Sequence, residues 1–249
     1  MIDPKKNIII SGPCSVESEE MIHFIAKSVS DLGIEYLRGG GFKPRTSPDS
    51  FQGMGLQGLK FLREAANANG LKTVSEIMDS TQLDEAYEFI DMIQIGSRNM
   101  DSYQLLKNIG NYTAADKKPV LLKRGFNSTL TELLFAAEYI QREGNPNVIL
   151  CLRGIRTFEQ IDSELRFTPD IASILELKQK TELPVVYDPS HSTGNRKYVP
   201  QISRAAMQLG ADGLMIECHP DPDSALSDSG QAVLPDELKM IMNSIDSLS

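Results

Sequence analysis

Four residues far apart in the chain carry the side chains that bind transition metals: Cys14, His191, Glu217 and Asp228. A thiol, an imidazole and two carboxylates form a mixed sulfur, nitrogen and oxygen set. Such a set suits Mn, Fe, Co or Zn better than Mg or Ca, which prefer oxygen alone. The thiolate favours the softer ions and the carboxylates the harder ones, so the reading is one divalent metal of open identity. Each residue also has an ordinary reading: Cys14 as a small buried filler, His191 as a hydrogen-bonded loop histidine, and Asp228 as a turn residue in Leu226-Ser227-Asp228-Ser229-Gly230. The second group is cationic: Arg38, Lys43, Arg45, Arg98, Lys123, Arg124, Arg153, Arg156 and Arg196. The chain as a whole is acidic, with 34 Asp plus Glu against 25 Lys plus Arg. That balance argues against nucleic acid and anionic membranes as partners. Cations gathered at one place in an acidic protein point to a small, strongly anionic ligand. Roughly a third of them are expected to be solvated loop charges, Arg124 and Arg196 first.

What could bring these residues together is a repeated unit. Eight short apolar runs begin near residues 7, 34, 72, 92, 119, 147, 184 and 213, and nearly every one runs into a charged or metal-binding residue. Asn7–Ile10 leads to Cys14, Ile34–Leu37 to Arg38, Thr73–Ser75 to Glu76 and Met92–Ile95 to Arg98. Val120–Leu122 leads to Lys123, Val148–Leu152 to Arg153, Val185–Tyr187 to Asp188 and His191, and Leu214–Ile216 to Glu217. The spacing averages about 29 residues, the length of one strand-plus-helix unit. Between the runs, apolar residues recur at helical spacing. Examples are Ile22, Ile25, Ala26 and Val29 before Gly33, and Leu83, Ala86, Tyr87 and Ile90 behind Thr81. Others are Leu130, Leu133, Leu134 and Ala137 after Ser128, Ile202, Ala205, Ala206 and Leu209 before Gly210, and Leu238, Ile241, Met242 and Ile245 behind Pro235. Eight such units predict a single (β/α)8 barrel over residues 1–249, with its chemistry at the C-terminal strand ends. In a closed barrel the eighth strand pairs with the first, so Cys14, His191, Glu217 and Asp228 converge on one seam.

Other features are assigned lesser roles. Cys218 points away from Glu217 along a strand, whereas His219 falls on the Glu217 side as a rival ligand or a support. His23 reads as structural. Gly53-Met54-Gly55-Leu56-Gln57-Gly58 matches the dinucleotide fingerprint but follows a polar loop, not the strand that fingerprint requires, so its glycines are expected to shape the loop. Three cysteines without paired spacing suit a reducing compartment. No signal peptide and no membrane-length apolar run is visible, which points to the cytoplasm.

The stretch Arg38-Gly39-Gly40-Gly41-Phe42-Lys43-Pro44-Arg45-Thr46-Ser47-Pro48 is the most specific in the chain. It stands with Gly12-Pro13-Cys14-Ser15, Gln94-Ile95-Gly96-Ser97-Arg98, Leu122-Lys123-Arg124-Gly125 and Asp188-Pro189-Ser190-His191-Ser192. With these motifs in order over nearly its whole length, the chain resembles the 3-deoxy-7-phosphoheptulonate (DAHP) synthases, type I, beta subgroup. The resemblance implies a condensation of phosphoenolpyruvate with erythrose 4-phosphate that releases phosphate, the first step toward aromatic amino acids. It also implies metal ligands at Cys14, His191, Glu217 and Asp228, and phosphoenolpyruvate-binding cations at Arg38, Lys43, Arg98, Lys123 and Arg153. Arg45 and Thr46 would hold the sugar phosphate, and Glu76 would lie near the phosphoenolpyruvate phosphate.

Lys123, Cys14 and His191 are thus the expected catalytic residues, with Lys123 the candidate for proton handling. The alternative is the sibling 3-deoxy-octulosonate 8-phosphate synthase, which uses arabinose 5-phosphate. Its loop usually reads Lys-Ala-Asn-Arg-Ser, whereas this chain has Lys43-Pro44-Arg45-Thr46 without Asn. Cys14 argues for metal dependence, since many siblings have Asn there. A barrel metallohydrolase would draw more histidines from strand ends, and a silent binding barrel should lack a ligand or a cation. No separate regulatory domain is expected, so the enzyme alone should be insensitive to Phe and Tyr, with regulation through a separate chorismate mutase left open. A homo-oligomer, tetramer or dimer, is the family habit. At position 187, before Asp188, a smaller aliphatic residue than tyrosine is expected.

Overall fold

Side chains alternate across extended backbone with a repeat of two residues, and in a barrel one set points inward. The computed structural model describes residues 6–43, 47, 49–158 and 165–248. Its strands are β1 (Ile8–Gly12), β2 (Tyr36–Arg38), β3 (Lys72–Glu76), β4 (Met92–Ile95), β5 (Val120–Lys123), β6 (Val148–Leu152), β7 (Val185–Tyr187) and β8 (Gly213–Glu217). Neighbours pair in parallel, and β1 against β8 closes the ring with Gly12 opposite Glu217. The eight-stranded parallel barrel expected from the spacing is present.

The helices are α1 (Glu19–Asp31), α2 (Leu56–Ala68), α3 (Leu83–Ala86), α4 (Tyr103–Tyr112), α5 (Leu130–Arg142), α6 (Ser173–Lys180), α7 (Pro189–Thr193), α8 (Val199–Gln208) and α9 (Pro235–Asp246). Each long helix buries one stripe against the strands, as α1 does with Ile22, Ile25, Ala26 and Val29. Truncating one such residue, Ile25→Ala for instance, would cost about 2–5 kcal/mol. Two segments depart from the periodic reading. The third crossover is not one helix but α3 between 3-10 turns at Ser80–Gln82 and Tyr87–Phe89. There Lys118 Nζ donates to the carbonyls of Tyr87 and Ile90, holding the frayed end. The start of α5 is capped by Thr129, not Ser128, with Glu132 reaching back to complete the box.

Inside the barrel, Ile8, Ile10, Tyr36, Val74, Met92, Leu121, Ile149, Cys151, Val186 and Met215 form one apolar plug. Two residues further along their strands, on the same inward face, come Arg38, Glu76, Gln94, Lys123, Arg153, Asp188 and Glu217. The plug is thus a hydrophobic floor beneath a polar ceiling, and the strand repeat alone sets the height at which charge begins. On β1 the matching position is Gly12, with φ +143°, where a Cβ would stand 2.1 Å from the Arg38 carbonyl oxygen. The close approach of β1 to β2 therefore excludes any side chain there. Tyr187 faces outward, fully buried among the residues between strands and helices. A large side chain fits there because the outward layer, not the narrow barrel interior, receives it.

Candidate active site

At the seam of β1, β7 and β8, one ligand atom each from Cys14, His191, Glu217 and Asp228 lies within 4.8 Å of the other three. Ligands held about 2.0–2.3 Å from one ion stand at most about 4.6 Å apart, so the four atoms need close by only a few tenths of an ångström to share one. The spread and the donor chemistry therefore fit a single divalent metal. Neighbouring cations already neutralise the acids. Glu217 Oε1 accepts from Arg38 Nη1 at 2.5 Å and lies 3.3 Å from His191 Nε2, while Oε2 accepts from Gln231 at 2.7 Å. Lys43 Nζ lies 2.6 Å from Cys14 Sγ and 3.7 Å from Asp228, and the Cys14 thiol donates to Asp228 at 2.9 Å. Burial drives the Cys14 pKa above its usual value, with Glu217 adding to the effect, so without a cation bound the group is a thiol. Burial opposes ionisation of Glu217 and Asp228 too, yet His191 with Arg38, and Lys43 with His191, hold both below the usual carboxylate range. Burial lowers the His191 pKa, which favours the neutral imidazole that a metal needs.

Local chemistry holds each donor. Asp188 follows β7 and caps α7, its Oδ1 accepting the His191 N–H at 2.8 Å. Its Oδ2 lies 2.7 Å from His191 Nδ1 and accepts from Lys123 Nζ at 2.6 Å. This fully buried carboxylate thus turns Nε2 toward Glu217 and ties the imidazole to the lysine, the usual outer support of a ligating histidine. His191 and Lys123 outweigh burial and keep Asp188 well ionised. Asp228 adopts a left-handed φ of +53°, which aspartate tolerates better than most residues. The loop after β1 clasps its segment: Ser15 bonds Ser227 and Glu17 accepts the Leu226 N–H.

Beyond the seam a cavity of about 290 Å³ opens over β2 to β6. Arg38, Lys43, Lys123, Arg98, Arg153 and Arg166 line it, with Glu76, Gln94, Ser47, Ser50 and Ser97 among the polar groups. Gln94 Nε2 donates to Glu76 at 3.3 Å. Gly96 makes room for that carboxylate, since a Cβ there would stand 2.0 Å from Glu76 Oε1. Arg153 differs from Arg38 and Lys123. It is buried, no carboxylate pairs with it among the described residues, and its Nε and Nη1 have no hydrogen-bond partner. Its guanidinium lies 4.0 Å from the Phe167 ring and 4.9 Å from that of Phe126. Burial pulls its pKa down to about 10, with the nearby Arg166 contributing.

The site residues expected from sequence mostly share this mouth. Cys14, His191, Glu217 and Asp228 meet, and Arg38, Lys43, Glu76, Arg98, Lys123 and Arg153 line the same cavity. Arg45 and Thr46 lie outside the described residues. Arg124 is buried beside the cavity in an ion pair with Asp170 at 2.8 Å, and Arg196 pairs with Asp223 on the surface. His219 stands outside the ligand quartet: its Nδ1 accepts the Asp221 N–H and its Nε2 lies 3.5 Å from Glu17. Gly53 and Gly55 shape the loop packed on Gly41, with Gly55 N–H donating to the Gly41 carbonyl. Sequence reasoning gave no role to Asp188, Phe126, Arg166 or Phe167. Asp188 could have been found, because it sits two residues beyond the inward Val186. Arg166, 3.0 Å from Asp228, sits on a long crossover with no strand-end signal.

Residues 3–248 match the sequence model of the DAHP synthetase I family. The chain is 49% identical over 225 residues to a phospho-2-dehydro-3-deoxyheptonate aldolase of Thermotoga maritima, covering 90% of this chain and 64% of that protein. A 2-dehydro-3-deoxyphosphooctonate aldolase of Methylococcus capsulatus is 29% identical over 96% of this chain and 88% of its own length. A crystal structure of the Thermotoga maritima DAHP synthase superposes with a TM-score of 0.92 and 46% identity, over 98% of this chain and 69% of that one. A truncated form of 3-deoxy-D-arabino-heptulosonate 7-phosphate synthase from the same organism gives 0.88 and 42%, over 98% and 86%. The chain thus spans less than two thirds of the length of its Thermotoga maritima relative.

Proposed function

The chain belongs to the DAHP synthetase I family, and from that premise we propose that it condenses phosphoenolpyruvate with erythrose 4-phosphate, yielding 3-deoxy-D-arabino-heptulosonate 7-phosphate and phosphate. The observation that carries the reading is one mouth in which a four-donor metal corner adjoins a cavity lined by cations. Phosphoenolpyruvate presents a phosphate and a carboxylate, and Arg98, Arg153, Lys123, Lys43 and Arg38 offer donors to both. Arg166 adds a cation on the Asp228 side. Arg45 and Thr46 remain the proposed seat of the sugar phosphate.

Cys14, His191, Glu217 and Asp228 would hold one divalent ion, which supplies Lewis-acid polarisation of the aldehyde oxygen. The protein's own groups do the rest. The cations fix phosphoenolpyruvate in one orientation, and placing both substrates at attack distance can remove up to about 7–11 kcal/mol of barrier. Lys123, which donates to Asp188 at 2.6 Å, is placed to hold or move the proton at the reacting carbons. Water adds at C2, and the phosphate leaves by C–O cleavage against the arginines that bound it.

The deciding experiment is an aldose panel with phosphoenolpyruvate, following loss of its absorbance with and without a chelator. Activity with erythrose 4-phosphate that falls on chelation supports the reading. Turnover of arabinose 5-phosphate alone would transfer the chain to the octulosonate sibling, whose named relatives are the more distant ones. Lys123→Arg keeps charge but not proton chemistry; near-normal turnover there would remove the lysine from its role. Cytoplasmic location, a homo-oligomer and a separate regulatory mutase are further parts of the proposal. Among the described residues no helix is long and apolar enough to cross a membrane.

A further inference from the structure

The cavity gathers guanidinium groups where acids would be expected to balance them. Among the described residues Arg98 and Arg153, which line the cavity, and the exposed Arg156 outside its lining form no ion pair with a carboxylate, and Arg166 pairs only with Asp228. What they share is two rings. Phe126 and Phe167 stack with centroids 5.4 Å apart and planes at 16°. Around Phe126 lie Arg98 at 5.5 Å, Arg153 at 4.9 Å and Arg156 at 5.4 Å. Around Phe167 lie Arg153 at 4.0 Å and Arg166 at 5.5 Å. Phe126 enters from the segment after β5 and Phe167 from the crossover after β6, so the pair bridges two neighbouring units of the barrel.

A ring and a carboxylate stabilise a guanidinium in different places. A carboxylate takes the N–H edge, which is the edge an anionic substrate needs. An aromatic face attracts the flat side of the cation through its quadrupole and leaves the edge free. Arg153 fits that division: its guanidinium carbon lies 4.0 Å and 4.9 Å from the two ring centroids, no carboxylate pairs with it among the described residues, and its buried Nε and Nη1 have no partner.

We propose that Phe126 and Phe167 are positioning residues that take the place of carboxylate counterions, holding Arg153 and its neighbours together while their donor edges stay open for the substrate phosphate. The inference rests on reading Arg153 as a phosphoenolpyruvate seat. Phe167 fixes the cation without touching substrate, so its loss should weaken binding rather than the chemical step.

The test is steady-state kinetics on the whole protein with Phe167→Leu, Phe167→Tyr, Arg153→Lys and the double variant Phe167→Leu with Arg153→Lys. Phe167→Leu removes the ring and keeps the bulk; it should raise KM for phosphoenolpyruvate about tenfold, with kcat changed far less. Phe167→Tyr keeps a face and should restore most of that KM. In the Arg153→Lys background the ring has no planar partner, so adding Phe167→Leu should cost less than twofold more. Should Phe167→Leu misfold, Phe167→Met gives the same readout, since it too removes the ring and keeps the bulk. An unchanged KM in the leucine variant, alongside a raised KM in Arg153→Lys, would overturn the ring's role alone. An unchanged KM in Arg153→Lys and in Arg153→Ala would overturn the seat and the inference together.

Discussion

The metal corner and the arginine wall lie side by side in one mouth and treat charge in opposite ways. In the corner every charge is met: Glu217 by Arg38, Asp188 by Lys123, and Asp228 by Lys43 and Arg166. On the wall Arg98 and Arg153 meet rings and pair with no acid among the described residues. The corner must hold several like-charged donors in place, and ion pairs fix geometry at the expense of desolvation. The wall must attract an anion that is not part of the protein, so an acid paired with these arginines would compete with the ligand. One region is built to be complete alone, and the other is completed by what it binds.

The comparison breaks most directly at Glu217. Replacing it by alanine strands the buried Arg38, and uncompensated buried charge of this kind costs about 3–5 kcal/mol. The melting temperature should fall by roughly 10 °C or more, at about 2–4 °C per kcal/mol for a domain this size. Exchanging the pair together, Glu217→Leu with Arg38→Met, should recover most of the stability while activity stays lost. A double variant as unstable as Glu217→Ala would show that the pair is not what holds the corner.

The wall should respond to ligand instead. With a chelator present, phosphoenolpyruvate at one hundred times its Kd should add about 2.7 kcal/mol, a rise of roughly 5–10 °C. Arg153→Met should abolish that rise. Loss of the shift on chelation alone would mean that the wall has no affinity without the corner, and the two regions would not be separable.

The sequence shows these regions unequally, and the reason is where their residues sit on the strands. The barrel and the polar ceiling were legible because apolar runs repeat at a fixed spacing and inward positions recur every second residue. Cys14, Glu217 and Lys123 could be placed for that reason. Asp188 obeys the same rule yet was passed over, because His191 three residues later drew the chemistry to itself. Arg166 and Phe167 belong to the long crossover after β6, whose path no periodicity dictates. The Phe126–Phe167 stack joins two such loops, and only tertiary packing creates it. The broken third crossover was hidden for a related reason, since Lys118 shapes it from another unit.

A smaller effect tests the wall without ligand. Arg153 is held buried and unpaired, so Arg153→Met should stabilise the free protein by about 1–2 kcal/mol after the lost ring contact is counted. Thermal melts in ligand-free buffer read this as a rise of a few degrees. A clear fall would mean that the rings repay the burial in full, and the wall would be as self-sufficient as the corner.

The smallest expected effect per step is a slope in pH, and it separates the regions by sign of charge. In the metal-free protein Cys14 is a thiol whose pKa burial has raised, burial lowers the pKa of His191, and Glu217 and Asp228 are held below the usual carboxylate range. A metal that takes the thiolate therefore releases one proton, so its Kd should fall about tenfold per pH unit, or 1.4 kcal/mol, from pH 6 to 8. The acids work in a lower window. Their folded pKa values lie below the unfolded ones, so the stability they contribute is present above about pH 4 and is lost as pH falls further. Cys14→Ser should flatten the slope between pH 6 and 8 and leave the acid limb in place. Titration calorimetry with Mn(II) or Co(II) in buffers of differing ionisation enthalpy would count the proton directly. A count near zero in the unaltered protein would mean that sulfur does not bind as thiolate, and the corner would then be a site of nitrogen and oxygen donors only.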